Sequence, residues 1–352
     1  MMINNQEINR ISIIMLGLMG DVLMRTPVLH EMKKMFPNSK ICAIVDPIGY
    51  EILKDNIDVD DMIVMRRQRK NKFGYLKSKL TTQLKIIKES FDLIIDLYGG
   101  RSSHKMMKLS GAKYQIGFVN GKKWTNHKSL QPYINKEIKF ENSHHLTNKL
   151  FQLLVFFEDM NNNPSNKPIF YLNNEVSIKM GSYVKTFEYE NFFLISLGSG
   201  GVEKILDVGK QFKLIKKIFD SDGIVPAIIL NPGQEFLQEN LIKQYFEPSG
   251  IPYIKLPLLN LGELGSLMKL CKFIVVPDTG LYHIAIALEI PILGIFTYTN
   301  PLLVLPSSDI NAFCFQETNE CDLHGVKLGK KEIEDKVLFQ AYEQLADKLK
   351  NN

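Results

Sequence analysis

Apolar runs of strand length recur along the chain, each followed by a polar or glycine-containing loop and then by a segment with helical periodicity. In the first half the runs cover residues 11–16, 41–45, 62–65, 91–97 and 115–118. Between the first two, Val22, Leu23, Val28, Leu29, Met32 and Phe36 fall on one side of a helix, with Pro27 in its early turns and Pro37-Asn38 as its stop. Further helices are expected at 49–54, 76–90 and 101–109. Another, at 144–157, carries Leu146, Leu150, Leu153, Leu154 and Phe157 on its apolar side. Strand and helix in strict alternation predict a doubly wound parallel sheet.

Asn161-Asn162-Asn163-Pro164 breaks the pattern, and polar residues and proline run on to Pro168. We therefore expect an N-terminal domain over 1–165, a linker over 166–190 containing a helix near 176–186, and a second domain over 191–330. That half starts the alternation again, with strands at 192–197, 227–230, 273–276 and 291–296 and helices at 210–219, 235–245 and 261–270. The tail, 331–352, reads as a helix with Ile333, Val337, Leu338, Tyr342 and Leu345 on one side, expected to pack back toward the N-terminal domain. The fold class is α/β: two doubly wound domains facing each other across a cleft, a common place for a small ligand.

Composition narrows the class. The chain has 352 residues, 45% hydrophobic and 23% charged, which suits two globular domains with full cores. Residues 1–10 lack the apolar stretch of a signal peptide, and no apolar run approaches the length of a membrane span, so the expected location is cytoplasmic. The four cysteines show no paired spacing and are expected as reduced thiols. Cys314, Cys321 and His324 make at most a partial metal site without an evident fourth ligand, so no metal and no cofactor are expected.

The formal net charge of +5 is concentrated. No acidic residue lies between Asp61 and Glu89, an interval holding Arg66, Arg67, Arg69, Lys70 and five further lysines. Such a block is either a solvated face or a surface for a polyanion, and the residues alone leave both open. Aromatic residues are sparse there, which disfavours a single-stranded nucleic-acid platform.

Candidate chemistry sits in three loops. Pro277-Asp278-Thr279-Gly280 joins a buried strand to a short helix containing His283, and a helix N-terminus after a strand welcomes an anion. Gly198, Ser199, Gly200 and Gly201, with Lys204 close behind, form a glycine-rich loop suited to phosphate. Asp21 is the acid of the loop after the first strand, and alone it reads as a helix N-cap. Glu235 alone reads as a first-turn acid favoured by the helix dipole, and His283 as a packed core histidine. No G-x-G-x-x-G follows the first strand, which disfavours a nicotinamide dehydrogenase.

Taken together, Asp278-Thr279-Gly280-Leu281-Tyr282-His283-Ile284-Ala285 and Gly20-Asp21-Val22-Leu23 with Thr26-Pro27 resemble the ADP-heptose:lipopolysaccharide heptosyltransferases, glycosyltransferase family nine. Weaker matches lie between them at Asp96, at Gly111-Ala112, at Ile116-Gly117-Phe118, at the glycine-rich loop with Lys204, and at Gln234-Glu235. The resemblance implies a GT-B fold of two Rossmann-like domains and inverting transfer of heptose from ADP-heptose to the lipopolysaccharide inner core. It makes Asp21 the general base. Gly198, Ser199, Gly200, Lys204, Glu235, Asp278, Thr279, Gly280 and His283 become donor-binding residues, and Arg66, Arg67, Arg69 and Lys70 hold an anionic glycolipid acceptor. Peripheral contact with the inner face of the inner membrane is part of this reading, and nucleic acid is not a partner. The chain departs from the family pattern at Thr299-Asn300-Pro301 and at Ile205-Leu206 after Lys204. The departure at Asn300 keeps in play a same-fold transferase with another nucleotide sugar or acceptor. A catalytically silent nucleotide-sugar-binding protein is a separate alternative, against which the retention of Asp21, Lys204, Asp278 and His283 speaks.

Overall fold

The computed structural model describes residues 8–66, 72–119, 122–125, 145–157, 159, 161, 163–201, 204–297, 301, 304, 312–315 and 332–351. The chain divides into two compact units, Met1–Tyr171 and Leu172–Asn352.

The first unit is built on β1 (Arg10–Ile14), β2 (Lys40–Val45), β3 (Asp61–Val64), β4 (Leu93–Asp96), β5 (Tyr114–Val119) and β6 (Lys122–Thr125). They form one sheet in the order β3-β2-β1-β4-β5-β6, parallel except for the antiparallel β6. The central strands are buried along nearly their whole length because helices cover both faces of a parallel sheet. The connecting helices are α1 (Met19–Leu23), α2 (Thr26–Met35), α3 (Pro47–Leu53), α4 (Lys72–Glu89), α5 (Arg101–Leu109) and α6 (Leu146–Phe151).

The single helix expected after β1 is two helices. Pro27 has no N–H to offer the carbonyl of Leu23, and the Thr26 hydroxyl takes it instead at 2.6 Å. The same Thr26 oxygen accepts from the Ile169 amide at 2.8 Å, which pins the end of the unit to this break. The helix expected over 144–157 is likewise shorter. His145 caps α6 by accepting from the Thr147 amide, and residues 152–154 tighten into a 3₁₀ turn.

The second unit repeats the plan. Its strands are β7 (Phe192–Ser196), β8 (Val225–Ile229), β9 (Ile254–Lys255), β10 (Ile274–Pro277), β11 (Ile292–Phe296) and β12 (Ala312–Phe315), all parallel, in the order β12-β11-β10-β7-β8-β9. Its helices are α7 (Asn174–Val184), α8 (Val208–Asp222), α9 (Glu235–Leu241), α10 (Glu247–Ser249), α11 (Leu261–Met268), α12 (Gly280–Ala287) and α13 (Asp335–Asn351). Helix α7, read from sequence as part of a linker, belongs to this unit and packs on α11, where Lys179 pairs with Glu263 at 2.7 Å.

The terminal helix requires a correction. The expectation was that it packs toward the first unit, but Leu338, Ala341, Tyr342 and Leu345 of α13 lie in the core of the second, with Phe193, Phe273 and Leu293. Its apolar face covers α8 and the β11–β12 edge, and the Tyr342 hydroxyl donates to Asp222 at the end of α8. Among the described residues, no helix is long and apolar enough to cross a membrane.

Candidate functional site

In each sheet the first strand has neighbours that lead the chain in opposite directions, so a crevice opens at the strand ends beside β1 and β4, and beside β7 and β10. These crevices receive the three loops singled out above.

In the second unit, the loop after β7 and the loop after β10 meet. Lys204 Nζ lies 2.6 Å from an Asp278 carboxylate oxygen, with Asp278 nearly buried and Lys204 partly open to solvent. Ser199 Oγ donates to the Asp278 carbonyl at 3.4 Å. Gln234, at the head of α9, donates to the Ser199 carbonyl at 2.8 Å and ties a third loop to the other two. Thr279 caps α12 in extended backbone conformation without using its hydroxyl, and that buried oxygen has no protein partner among the described residues. A cation, a hydroxyl and the first amides of a helix thus converge on one crevice, the arrangement an anion calls for.

The glycines of this loop divide by role. A side chain on Gly198 would strike the tips of the Gln234 and Asn231 side chains at 2.0 and 2.3 Å, so Gly198 lets these two side chains close over the loop. Gly200 faces open space, where a ligand can approach the backbone.

Glu235 begins α9 and accepts from the Gly233 amide at 2.9 Å. Hydrogen bonds from its own amide and that of Gly233 hold its carboxyl below the ordinary glutamate value. Its carboxylate is therefore engaged in the turn at the helix start. His283 is buried one turn into α12, its ring edge-on to Tyr282.

In the first unit, Asp21 sits at the third position of α1 and accepts from the Leu18 amide at 2.9 Å through Oδ2. Leu18, not Asp21, is therefore the N-cap residue; Asp21 closes the first turn from inside with one oxygen on the cap's amide, while its side chain remains exposed. Gly17 permits this fold-back: its φ is +149°, and an added Cβ would sit 2.7 Å from Asp21 Oδ2. The Gly17 amide is held by Asp46 at 2.8 Å, and the buried Arg25 guanidinium donates to the Leu16 carbonyl and lies 5.9 Å from the Tyr98 ring centre.

Beside it, Asp96 at the end of β4 is fully buried and accepts from the Tyr98 and Gly99 amides and the Ser103 hydroxyl at 2.6–3.1 Å. Burial raises its pKa, against the pull of those hydrogen bonds and of Arg25. The supporting roles of Arg25, Asp46 and Asn231 were not read from sequence. Each acts through a partner distant in the chain, and single residues of these types carry no local signal.

Of the basic block, Arg66 follows β3, and its amide donates to Ser78 Oγ of α4 at 3.0 Å. It lines a cavity of about 620 Å³ together with Tyr50, Glu51, Lys77, Thr81 and Lys85. Arg67, Arg69, Lys70, Cys321, His324 and Thr299-Asn300 lie outside the described residues, as does the Cys314 side chain.

Two Rossmann-like sheets, the second with a glycine-rich loop, a lysine and a helix N-terminus at its switch point, make up a GT-B architecture. The model of glycosyltransferase family 9 (heptosyltransferase) matches residues 79–332, well over half of the chain, and the chain belongs to that family. Solved structures agree in fold. The family 9 glycosyltransferase of Veillonella parvula superposes with a TM-score of 0.72 at 17% identity, covering 98% of both chains. ADP-heptose lipopolysaccharide heptosyltransferase II of E. coli gives 0.72 at 14% identity, over 97% of this chain and 99% of that one. E. coli heptosyltransferase WaaC, solved with ADP-2-deoxy-2-fluoro heptose, gives 0.67 at 17% identity, over 97% and 100%. A search of curated protein sequences found no match.

Proposed function

We propose that this glycosyltransferase moves heptose from ADP-heptose to the inner core of a lipopolysaccharide acceptor, with inversion at the anomeric carbon. The observation that carries the donor half is the convergence of Lys204, Ser199 and Asp278-Thr279-Gly280 at the β7–β10 crevice. WaaC was solved with an ADP-sugar analogue, which supports an ADP-linked donor for a family member of the same fold.

In this reading the diphosphate lies against the Gly200 backbone and the start of α12, and takes Lys204 as its counter-ion in place of Asp278. Asp278, relieved of the lysine, accepts from sugar hydroxyls, and Glu235 and His283 complete the donor contacts. Asp21 accepts the proton of the acceptor hydroxyl as its oxygen attacks the anomeric carbon. The bond from that carbon to the diphosphate breaks, and ADP departs with the electron pair. Charge grows on the leaving diphosphate as this happens, so a lysine and fixed amide dipoles act mainly on the transition state. The acceptor's phosphates and carboxylates are held by Arg66, Arg67, Arg69 and Lys70.

The test is a panel of nucleotides scored by thermal shift, followed by product mass with ADP-heptose and a truncated lipopolysaccharide acceptor. Stabilisation by ADP and a mass gain of one heptose are expected. Stabilisation by UDP alone would move the reading to another nucleotide sugar on the same fold, and binding without product would make the protein a nucleotide-sugar binder.

A further inference from the structure

Helix α4 has two faces that contradict the usual division between inside and outside. Thr82 and Ile86 are buried and anchor it to the first unit. On another side, Leu76, Leu80, Leu84 and Ile87 are between 48 and 63% exposed. At about 100° per residue these four fall within an arc of roughly 80°, a continuous apolar stripe over three turns of helix. Lys77 and Lys88 flank the stripe on the side facing the cavity, and no acidic residue interrupts the chain from Asp61 to Glu89.

We propose that α4 docks this unit on an anionic lipid bilayer, the leucine stripe entering the headgroup boundary and the lysines meeting lipid phosphates. Charge decides between a bilayer and a protein partner. Lysine is depleted in the buried centres of protein interfaces, whereas an apolar stripe edged by lysine suits a membrane surface, where the long side chains reach headgroups while the stripe is submerged. The cavity holding Arg66, Lys77 and Lys85 opens along the edge of the same helix. This places a cationic pocket beside the lipid surface, and here the inference rests on reading the acceptor as an anionic glycan anchored in lipid.

The test uses the full chain and two sets of vesicles, phosphatidylcholine alone and phosphatidylcholine mixed with phosphatidylglycerol. Cosedimentation with the mixed vesicles, weakened by added salt, is expected. The variant Leu76→Ser/Leu80→Ser/Leu84→Ser should lose roughly tenfold or more in partitioning, with its circular dichroism and ADP-induced thermal shift unchanged. Equal binding by variant and wild type, or no binding to either vesicle, overturns the proposal. So does a variant that turns from dimer to monomer in sedimentation without losing lipid binding, which would make the stripe a contact between copies of this chain.

A second arm separates docking from catalysis. The variant should act normally on an acyl-free acceptor and poorly on the same acceptor embedded in vesicles. Equal turnover of both acceptors overturns docking and leaves the transferase reading standing. Loss of vesicle binding in a protein that turns over neither acceptor upholds docking and removes the transferase reading.

Discussion

At the scale of single residues, the two carboxylates assigned opposite duties are distinguished by their partners. Asp278 is nearly buried with an ion pair to Lys204, a group already committed to charge balance. Asp21 is exposed and uses one oxygen on its own helix start. A base must meet the acceptor's proton, and the exposed group fits that task better. Asp21→Asn keeps an acceptor for the Leu18 amide but not the basicity; we expect kcat to fall by about 10²–10⁴-fold with ADP affinity unchanged by calorimetry. Lys204→Ala should act on both quantities, weakening ADP binding by roughly 10–100-fold, the worth of one charge-assisted contact, and lowering kcat as well, because the lysine meets the charge that grows on the leaving diphosphate. If Asp21→Asn left turnover intact while Asp278→Asn abolished it, the base assignment would be wrong.

At the scale of elements, the strands were legible and the loops were not. Runs such as 41–45 and 292–296 are wholly apolar, so burial of both faces could be read from them directly. The short β6, β9 and β12 were missed: β6 and β9 mix apolar and polar residues, and β12, though apolar, is only four residues long, and runs of two to four residues carry no periodicity. Asp21, Lys204 and the loop at Asp278 were legible only as motifs; what holds them could not be, because Gly17 with Asp46 and Gly198 with Asn231 are pairings across the sheet.

Two predictions test that hidden support. Gly17→Ala forces a Cβ into Asp21 at a backbone angle that side chains rarely adopt, and should cost about 1–3 kcal/mol in chemical denaturation, with turnover falling as Asp21 is displaced. Asp96 binds its proton more tightly in the folded chain than in the unfolded one, so stability must decrease as pH rises from the ordinary aspartate pKa through the raised one. Denaturation measured across that range should show the decline in wild type and a flatter profile in Asp96→Asn.

At the scale of the whole molecule, both sheets follow one order: third, second and first strand, then fourth, fifth and sixth. Each unit has its own core, and α13 completes the second by covering the β11–β12 edge. Two units of one plan, each with a crevice at its switch point, raise the question of which crevice takes the nucleotide. The glycine-rich loop, Lys204 and the buried Thr279 hydroxyl belong to the second; the first offers the exposed Asp21 and the cavity at Arg66. Hydrogen exchange with saturating ADP should therefore slow most at residues 198–204 and 278–283, since amides that bind phosphate are both hydrogen-bonded and shielded. Residues 17–25 should respond instead to an acceptor analogue. Leu345→Ala removes a fully buried side chain from α13, and should cost about 2–5 kcal/mol and weaken exchange protection across the second unit. Strongest ADP protection at residues 17–25, with none at 278–283, would place the nucleotide on the first sheet and reverse the division of labour between the two.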